Sequence, residues 1–377
     1  MPCPRRLTER QISVPIAPEP CFIALGCCGV AVCGFVPEAP WRTRSAGYRR
    51  WGPDRRGPLA RVTGRGHRKQ LHARRRFVGW RWVRAGIAAF LPAAVGLYAT
   101  RKRTGLPPTV TLPVVSVTPL AVAAVMPPGR WRYIAAGAAY MWVFKVTWEL
   151  PAENPEKLRE RLRVDYPIRI DTVLGGGVPP TVRLQRALRT PPRVTVIDKV
   201  VCVIYGSWFV PHLVLVWILL RHDEHVPRAA GRLAACYHLT TPFYWLLPTA
   251  PPWWASESGE RMGGEVERVL RHVIRDMRGK ARLTVDNTTG NPWGSMPSDH
   301  IASAAITAMG LSEVGTIYGV AGWTYAALAS FSVVYLGEHY LIDVIVGLAI
   351  AETVRLAEPV VNPFVRLLAR HLERIGA

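Results

Sequence analysis

Apolar stretches about as long as a bilayer is thick, separated by strongly basic segments, constrain this chain more than any other feature. From Phe77 onward, hydrophobic runs lie near 82–99, 109–127, 131–148, 200–220, 232–249, 298–312, 316–336 and 339–356. These make about eight helices, most near the roughly 20 residues needed to cross a hydrocarbon core of about 30 Å. Length alone would permit two or three soluble domains. A 49% hydrophobic composition, a mean hydropathy of +0.11 and a formal net charge of +22 together fit apolar helices joined by basic loops. The chain is therefore expected to be all-α, a polytopic transmembrane helix bundle.

Three segments are expected. Residues 1–76 form a basic N-terminal extension, 77–360 the transmembrane catalytic domain, and 361–377 a basic C-terminal tail. Within the extension, CFIALGCCGVAVCGFV (21–36) is short for a span and flanked by prolines, and it reads as a signal-like segment, a marginal helix or sequence upstream of the true start. The Arg- and Gly-rich stretch 42–76 is expected to be disordered or to lie on lipid headgroups. Of seven cysteines, five fall at Cys3, Cys21, Cys27, Cys28 and Cys33, while Cys202 and Cys236 sit in apolar runs. No CxxC pair suggests a zinc ribbon, and two cysteines inside a bilayer argue against a disulfide framework. The positive charge could serve nucleic acid, anionic lipid or topology. With no nucleic-acid motif beside it, the expected partners are membrane and a lipid substrate. No cofactor and no metal is expected.

Two hydrophilic connections, 149–198 and 250–297, interrupt the helices. In the first, Gly175, Gly176 and Gly177 mark a loop, and PTVRLQRALR reads as a basic interfacial helix. GGG lacks a GxGxxG or GK[ST] context, so it does not suggest a nucleotide site. In the second, GEVERVLRHVIRDMRG has helical character.

The chemistry concentrates near the C-terminus. In LGEHYLIDVIVG (336–347), His339 and Asp343 have helical i,i+4 spacing. A carboxylate there can accept a hydrogen bond from one imidazole nitrogen, fixing the tautomer and leaving the other as base, ligand or nucleophile. Such a pair can also be purely structural. In a membrane helix, however, ionisable groups are expensive and function is the default. Upstream, GSMPSDHIASA (294–304) reads as a helix start, with Ser295 as N-cap, Pro297 in the first turn and Ser298, Asp299 and His300 following. Free N–H groups at such a start bind phosphate, and the Ser298 hydroxyl can add a donor. One helix leads away from His300 and the next returns, so His339 is expected on the same membrane face as His300.

MPSDH followed by GEHYLID resembles the second and third motifs, PSGH and SRxxxxxHxxxD, of the type-2 phosphatidic acid phosphatase superfamily. HYLIDVIVG, with NPWGSMPSDH and PTAPPWW upstream, is more similar to the branch holding inositol phosphorylceramide synthases, sphingomyelin synthase-like proteins and actinobacterial relatives. The resemblance covers about 230–356, and GGGVPPTVRLQ extends it to about 165. It implies a six-helix phosphatase-like core with extra N-terminal helices, and a lipid phosphatase or phosphotransferase working through a phosphohistidine. His339 would be the nucleophile, Asp343 its partner, and His300 the acid that protonates the leaving oxygen.

Three departures stand out. Asp299 replaces the glycine of PSGH, and a carboxylate there is unfavourable near phosphate unless it points away or is paired. Val333 occupies the place of the arginine in the SR pair, whereas Ser332 matches. The KxxxxxxRP motif is not recognisable, and PTAPPWW lies near its place. The phosphate's cation must come from elsewhere: Arg183 is the first candidate, with Arg271, Arg275 and Lys280 behind it. The substrate-binding set is thus Ser298, Asp299, Arg183 and Glu338, with Glu338 left open between orienting a base, meeting an acceptor hydroxyl and facing the interface. His212 and His238 are read as helix-to-helix hydrogen bonders, Lys145 as snorkelling, and Trp253 and Trp254 as interface anchors or walls of a lipid entrance.

Short loops carrying Arg130, Arg132, Arg221, Arg228 and Arg232 lie opposite the site. The positive-inside rule places them in the cytoplasm and the site on the extracytoplasmic face of a multi-pass cell-membrane protein. On residue types alone, two other functions remain. One is a metal-dependent membrane hydrolase using His300, His339, Asp343 and Glu338. The other is a transporter with histidines in a proton path.

Overall fold

A computed structural model describes residues 65–127, 130–219, 221, 225–278 and 291–376. The cysteine-rich segment 21–36 and most of the basic stretch lie outside the described residues, as does Lys280. The chain forms α1 (Arg65–Thr104), α2 (Pro108–Ser116), α3 (Thr118–Val125), α4 (Arg130–Glu149), α5 (Pro155–Glu160), α6 (Asp165–Leu174), α7 (Pro180–Leu188) and α8 (Val196–Gly206). It continues with α9 (Val210–Leu219), α10 (Val226–Leu246), α11 (Pro252–Gly259), α12 (Val269–Arg278), α13 (Asp299–Val314), α14 (Thr316–Tyr335) and α15 (Leu341–Gly376). Among the described residues there is no strand, only isolated bridges.

The helical class matches expectation, but several boundaries differ. α1 begins at Arg65, inside the expected N-terminal extension, and α15 continues through most of the expected tail. The run at 200–220 breaks into α8 and α9, where the Ser207 hydroxyl bonds back to the Ile204 carbonyl at 2.8 Å. PTVRLQRAL is the expected helix, and the glycine turn before it has Gly176 and Gly177 at φ 63° and 100°. Two stretches among the described residues are long and apolar enough to cross a membrane on their own: Pro108–Val125, which comprises α2 and α3, and Thr316–Tyr335. The other expected spans do not meet that test; α13, for example, has only 16 residues.

α13 is the central element. Ile301 through Ala308 are buried without a break, and all are small or aliphatic. Small residues let the surrounding helices approach closely. A Cβ on Gly322 of α14 would sit 2.9 Å from the Ala308 Cα, and one on Gly347 of α15 would lie 2.5 Å from the Ser298 carbonyl oxygen. Tyr140, Leu233, Tyr237, Ile306 and Ile350 complete the core that α4, α10 and α15 build around α13. At the far end of α13, the buried Arg232 guanidinium joins Glu313 and Glu358, each at 2.7 Å, and so ties α10, α13 and α15 together.

The polar side chains set aside as structural behave so. His238 meets the Tyr140 hydroxyl at 2.6 Å, linking α10 to α4, and His212 lies 3.5 Å from the Tyr237 hydroxyl. Lys145 pairs with Glu149 on its own helix. Trp253 is only 2% exposed, so it is a packing residue rather than an exposed anchor.

The close approach at Gly347 is testable. Gly347→Ala should destabilise by about 1–3 kcal/mol, because backbone must move to admit the methyl. Gly231→Ala, whose Cβ would meet nothing within 4 Å, should be neutral or gain up to about 1 kcal/mol. Thermal midpoints of the two variants in detergent measure the contrast.

Candidate active site

The site is assembled where the segment before α13 meets the turn before α15. Thr249, just after α10, lies between Arg163 and Gly294 in two parallel bridges. The Thr249 N–H donates to the Trp293 carbonyl at 2.8 Å, and the Ser295 N–H donates to the Thr249 carbonyl at 3.2 Å. This extended pairing holds the NPWGSMP segment still. On the other side, α14 ends and Gly337 turns the chain with φ 76°. A side chain there would be strained and would meet Val266 Cγ1 at 3.1 Å. The N–H groups of Glu338 and His339 both donate to the Val333 carbonyl at 3.1 Å.

His339 therefore lies in a turn rather than on the helix. Its Nδ1 is 2.8 Å from the Ser295 carbonyl oxygen and 3.5 Å from Asp343 Oδ2. A carbonyl can only accept, so Nδ1 is the donor, and in the neutral tautomer the lone pair is on Nε2. The expected direct hydrogen bond from Nδ1 to Asp343 is thus replaced by one to the Ser295 carbonyl of the opposite segment, which lies nearer the ring. Asp343 acts one step back. Its Oδ2 accepts from the Ser295 hydroxyl at 2.5 Å and from the Tyr340 N–H at 2.9 Å. The second bond is the returning half of a capping box at the start of α15.

Asp171 completes that helix start. Fully buried in α6, it accepts from the Leu341 and Ile342 N–H groups at 2.8 and 2.9 Å. The first N–H groups of α15 are thereby occupied by carboxylates. The start of α13 is different. Its N-cap is Ser298, not Ser295; Pro297 precedes the helix, and the Ser298 side chain makes no capping bond. The Ile301 and Ala302 N–H groups turn back to the Ser298 carbonyl at 3.2 and 3.0 Å. This leaves the N–H groups of Asp299 and His300 at the head of the helix. The Ser298 hydroxyl is buried and has no partner.

His300 faces His339 with ring centroids 5.6 Å apart at 66°. Tyr205 stacks on His300 at 4.9 Å, and Trp208 meets it edge-on at 5.7 Å. Asp299 turns toward α10, where the Thr240 hydroxyl donates to it at 3.1 Å. Glu338 binds Arg268, Nε to Oε1 at 2.9 Å. Arg183 is exposed, its guanidinium 3.3 Å from the Gly176 carbonyl. Val333 is 1% exposed, in an apolar cluster with Ile301, Ala329 and Val344. Among the described residues no three His, Cys, Asp or Glu side chains are grouped as metal ligands would be. His300, His339 and Asp343 come together; Arg183 is not brought to them by any of these contacts.

Sequence reasoning missed Asp171, Arg268 and Gln185. The Gln185 amide donates to the Tyr335 and Glu267 carbonyls at 2.9 and 3.0 Å and accepts from the Glu267 N–H at 2.9 Å. It fixes α7 against the end of α14. Asp171 in DTVLGGG and Gln185 in TVRLQ are lone polar residues in short helices, and only their partners far along the chain mark them.

Burial pushes the Asp171 carboxyl up to about 6 from an ordinary 3.8, with the two N–H bonds opposing and Asp343 adding to the rise. The folded chain therefore holds this proton to higher pH than the unfolded chain does. Stability from this group should fall as pH rises from about 4 to about 6 and then level off. Asp171→Asn should remove that slope in thermal unfolding measured across pH. Asp171→Ala should cost about 1–3 kcal/mol by leaving two buried N–H groups without an acceptor.

No curated protein and no solved structure matches the chain. Residues 168–355, the segment from α6 into α15 that carries Asp171, His300, His339 and Asp343, match the family model of the PAP2 superfamily.

Proposed function

We propose that the protein is an integral membrane enzyme that cleaves or transfers a phosphate ester of a lipid through a phosphohistidine on His339. The observation that carries this reading is the Ser295–His339 hydrogen bond. It fixes the ring and selects the neutral tautomer whose lone pair is on Nε2, beside a second imidazole 5.6 Å away. PAP2 superfamily membership of the surrounding segment supports phosphatase or phosphotransferase chemistry.

His339 Nε2 attacks phosphorus and the bond to the leaving oxygen breaks. His300 protonates that oxygen as general acid, then takes a proton from the water or hydroxyl that resolves the phosphohistidine. The charge developing on the phosphoryl oxygens is met by the Asp299 and His300 N–H groups and by the Ser298 hydroxyl. Asp343, 3.5 Å from Nδ1, stabilises the imidazolium that forms. Water as acceptor makes the enzyme a phosphatase, and a lipid or polyol hydroxyl makes it a transferase. The HYLIDVIV motif and the absence of the SR arginine favour transfer of the inositol phosphorylceramide synthase type.

Exposed apolar side chains support the membrane reading. On α14, Ile317 is 84% and Val320 62% exposed, and Leu328 and Phe331 continue the same outer surface. Water would penalise such a surface and lipid would not. Arg130 and Arg132 at the start of α4 and Arg221 and Arg228 around the start of α10 lie at the end opposite the site and support an extracytoplasmic active site.

The purified protein, offered phosphatidylinositol, phosphatidic acid or a prenyl phosphate, should release phosphate or transfer the headgroup. His339→Ala should abolish the reaction, and acid-labile, alkali-stable radiolabel from a ³²P-labelled substrate should vanish with it. His300→Ala should slow it about 10²–10⁴-fold, with smaller losses for good leaving groups. Full activity in EDTA is expected, and a chelator-sensitive enzyme would favour the metal-dependent alternative. Unchanged turnover in His339→Ala would remove the nucleophile assignment.

A further inference from the structure

The phosphoryl group needs a cation, and the positions that first suggest themselves do not supply one. Val333 is packed in apolar core. Arg183 rests on Gly176 in the glycine turn, Arg271 pairs with Glu257 at 2.8 Å, and Arg275 is exposed on α12. We propose that Arg268 holds the phosphoryl oxygens of the substrate, oriented by Glu338 as its counter-ion. This inference rests on the phosphoryl-transfer reading above.

Three observations place Arg268 at the site. Its Nε donates to Glu338, the residue before His339 in the chain, at 2.9 Å. Its guanidinium lies 4.4 Å over the ring of Trp253, whose backbone N–H bonds the Gly337 carbonyl at 3.0 Å. Arg268 is thus anchored to the same turn that presents His339. Finally, Tyr205, stacked on His300 at 4.9 Å, is within electrostatic reach of both Arg268 and Glu338.

The chemistry suits the role. A guanidinium has five N–H donors, so one group can hold a carboxylate and a phosphoryl oxygen together. Stacking on a buried indole and pairing with Glu338 fix its rotamer before substrate arrives, which lowers the entropy lost on binding. A lone carboxylate beside a phosphate dianion would repel it; bound to Arg268, Glu338 is neutralised. Glu338 is then an orienting counter-ion, not the base. The cation reaches the site from the segment leading into α12, across space from the position where the SR motif carries its arginine.

Orthovanadate, a phosphate mimic, tests this on the full chain in detergent by calorimetry. Arg268→Ala should weaken vanadate binding about 10- to 100-fold, the loss of a charged hydrogen bond, and Arg268→Lys should weaken it less. Arg275→Ala should bind as the wild type does. Glu338→Gln should bind at least as tightly as the wild type, because its amide oxygen can still accept from Arg268 Nε and orient the guanidinium while one negative charge near the phosphoryl group is gone. A purely structural ion pair predicts the opposite, with Glu338→Gln impaired as much as Arg268→Ala, and that result would overturn the assignment, as would unaltered binding in Arg268→Ala. A wild-type protein that binds no vanadate overturns both this assignment and the phosphoryl-transfer reading. Arg268-dependent vanadate binding without turnover of any lipid phosphate retains Arg268 as an anion site and overturns that reading alone.

Discussion

A single hydrogen bond, from His339 Nδ1 to the Ser295 carbonyl, determines what the rest of the site can do. It joins two segments that are 44 residues apart in the chain. It also decides which imidazole nitrogen is available. The surrounding structure serves to hold that carbonyl and that ring in place. The Thr249 bridges steady the Ser295 side, and the turn at Gly337, whose following Glu338 and His339 N–H groups both donate to the Val333 carbonyl, steadies the His339 side. Asp343 spans both, since it accepts from the Ser295 hydroxyl and the Tyr340 N–H.

Much of this was legible in the sequence, and the limits have physical causes. The pairing of His300 with His339 followed from counting apolar runs between two short motifs, and the geometry keeps it. The His339–Asp343 spacing was read as helical; the i,i+4 proximity survives at 3.5 Å although His339 precedes the helix. A turn entered at Gly337 can bring a residue as near as a helical turn would. Ser295 was read as the N-cap by residue type. Its hydroxyl prefers the buried Asp343 carboxylate, which a single sequence cannot anticipate. Helix continuity at 200–220 failed for a similar reason, since periodicity does not register a break closed by local Ser207 bonds.

Residues that act across long sequence distances were the hardest to see. Asp171 and Gln185 are isolated polar residues within short amphipathic helices, and nothing local marks them as buried. Their partners, at Leu341–Ile342 and at Tyr335, lie about 150 residues or more away. Arg268 was hidden among the many basic residues of its segment. Charge alone could not rank them, and only the stacking on Trp253 and the pairing with Glu338 single it out.

The two helix starts that meet at the site are used in opposite ways, and this divides the labour within it. Both present N–H groups and the positive end of a helix dipole. At α15 those groups are taken by Asp171 and Asp343, so that end is closed to an external anion and serves as a rigid mount for the His339 turn. At α13 the acidic residue of the first turn, Asp299, is drawn away by Thr240, and the Ser298 hydroxyl makes no bond. A phosphate therefore finds only one of the two helix starts unclaimed, the one that carries His300. An additional glycine in place of Asp299, as in PSGH, would need no such diversion. The Thr240–Asp299 bond is what makes an aspartate tolerable at this position.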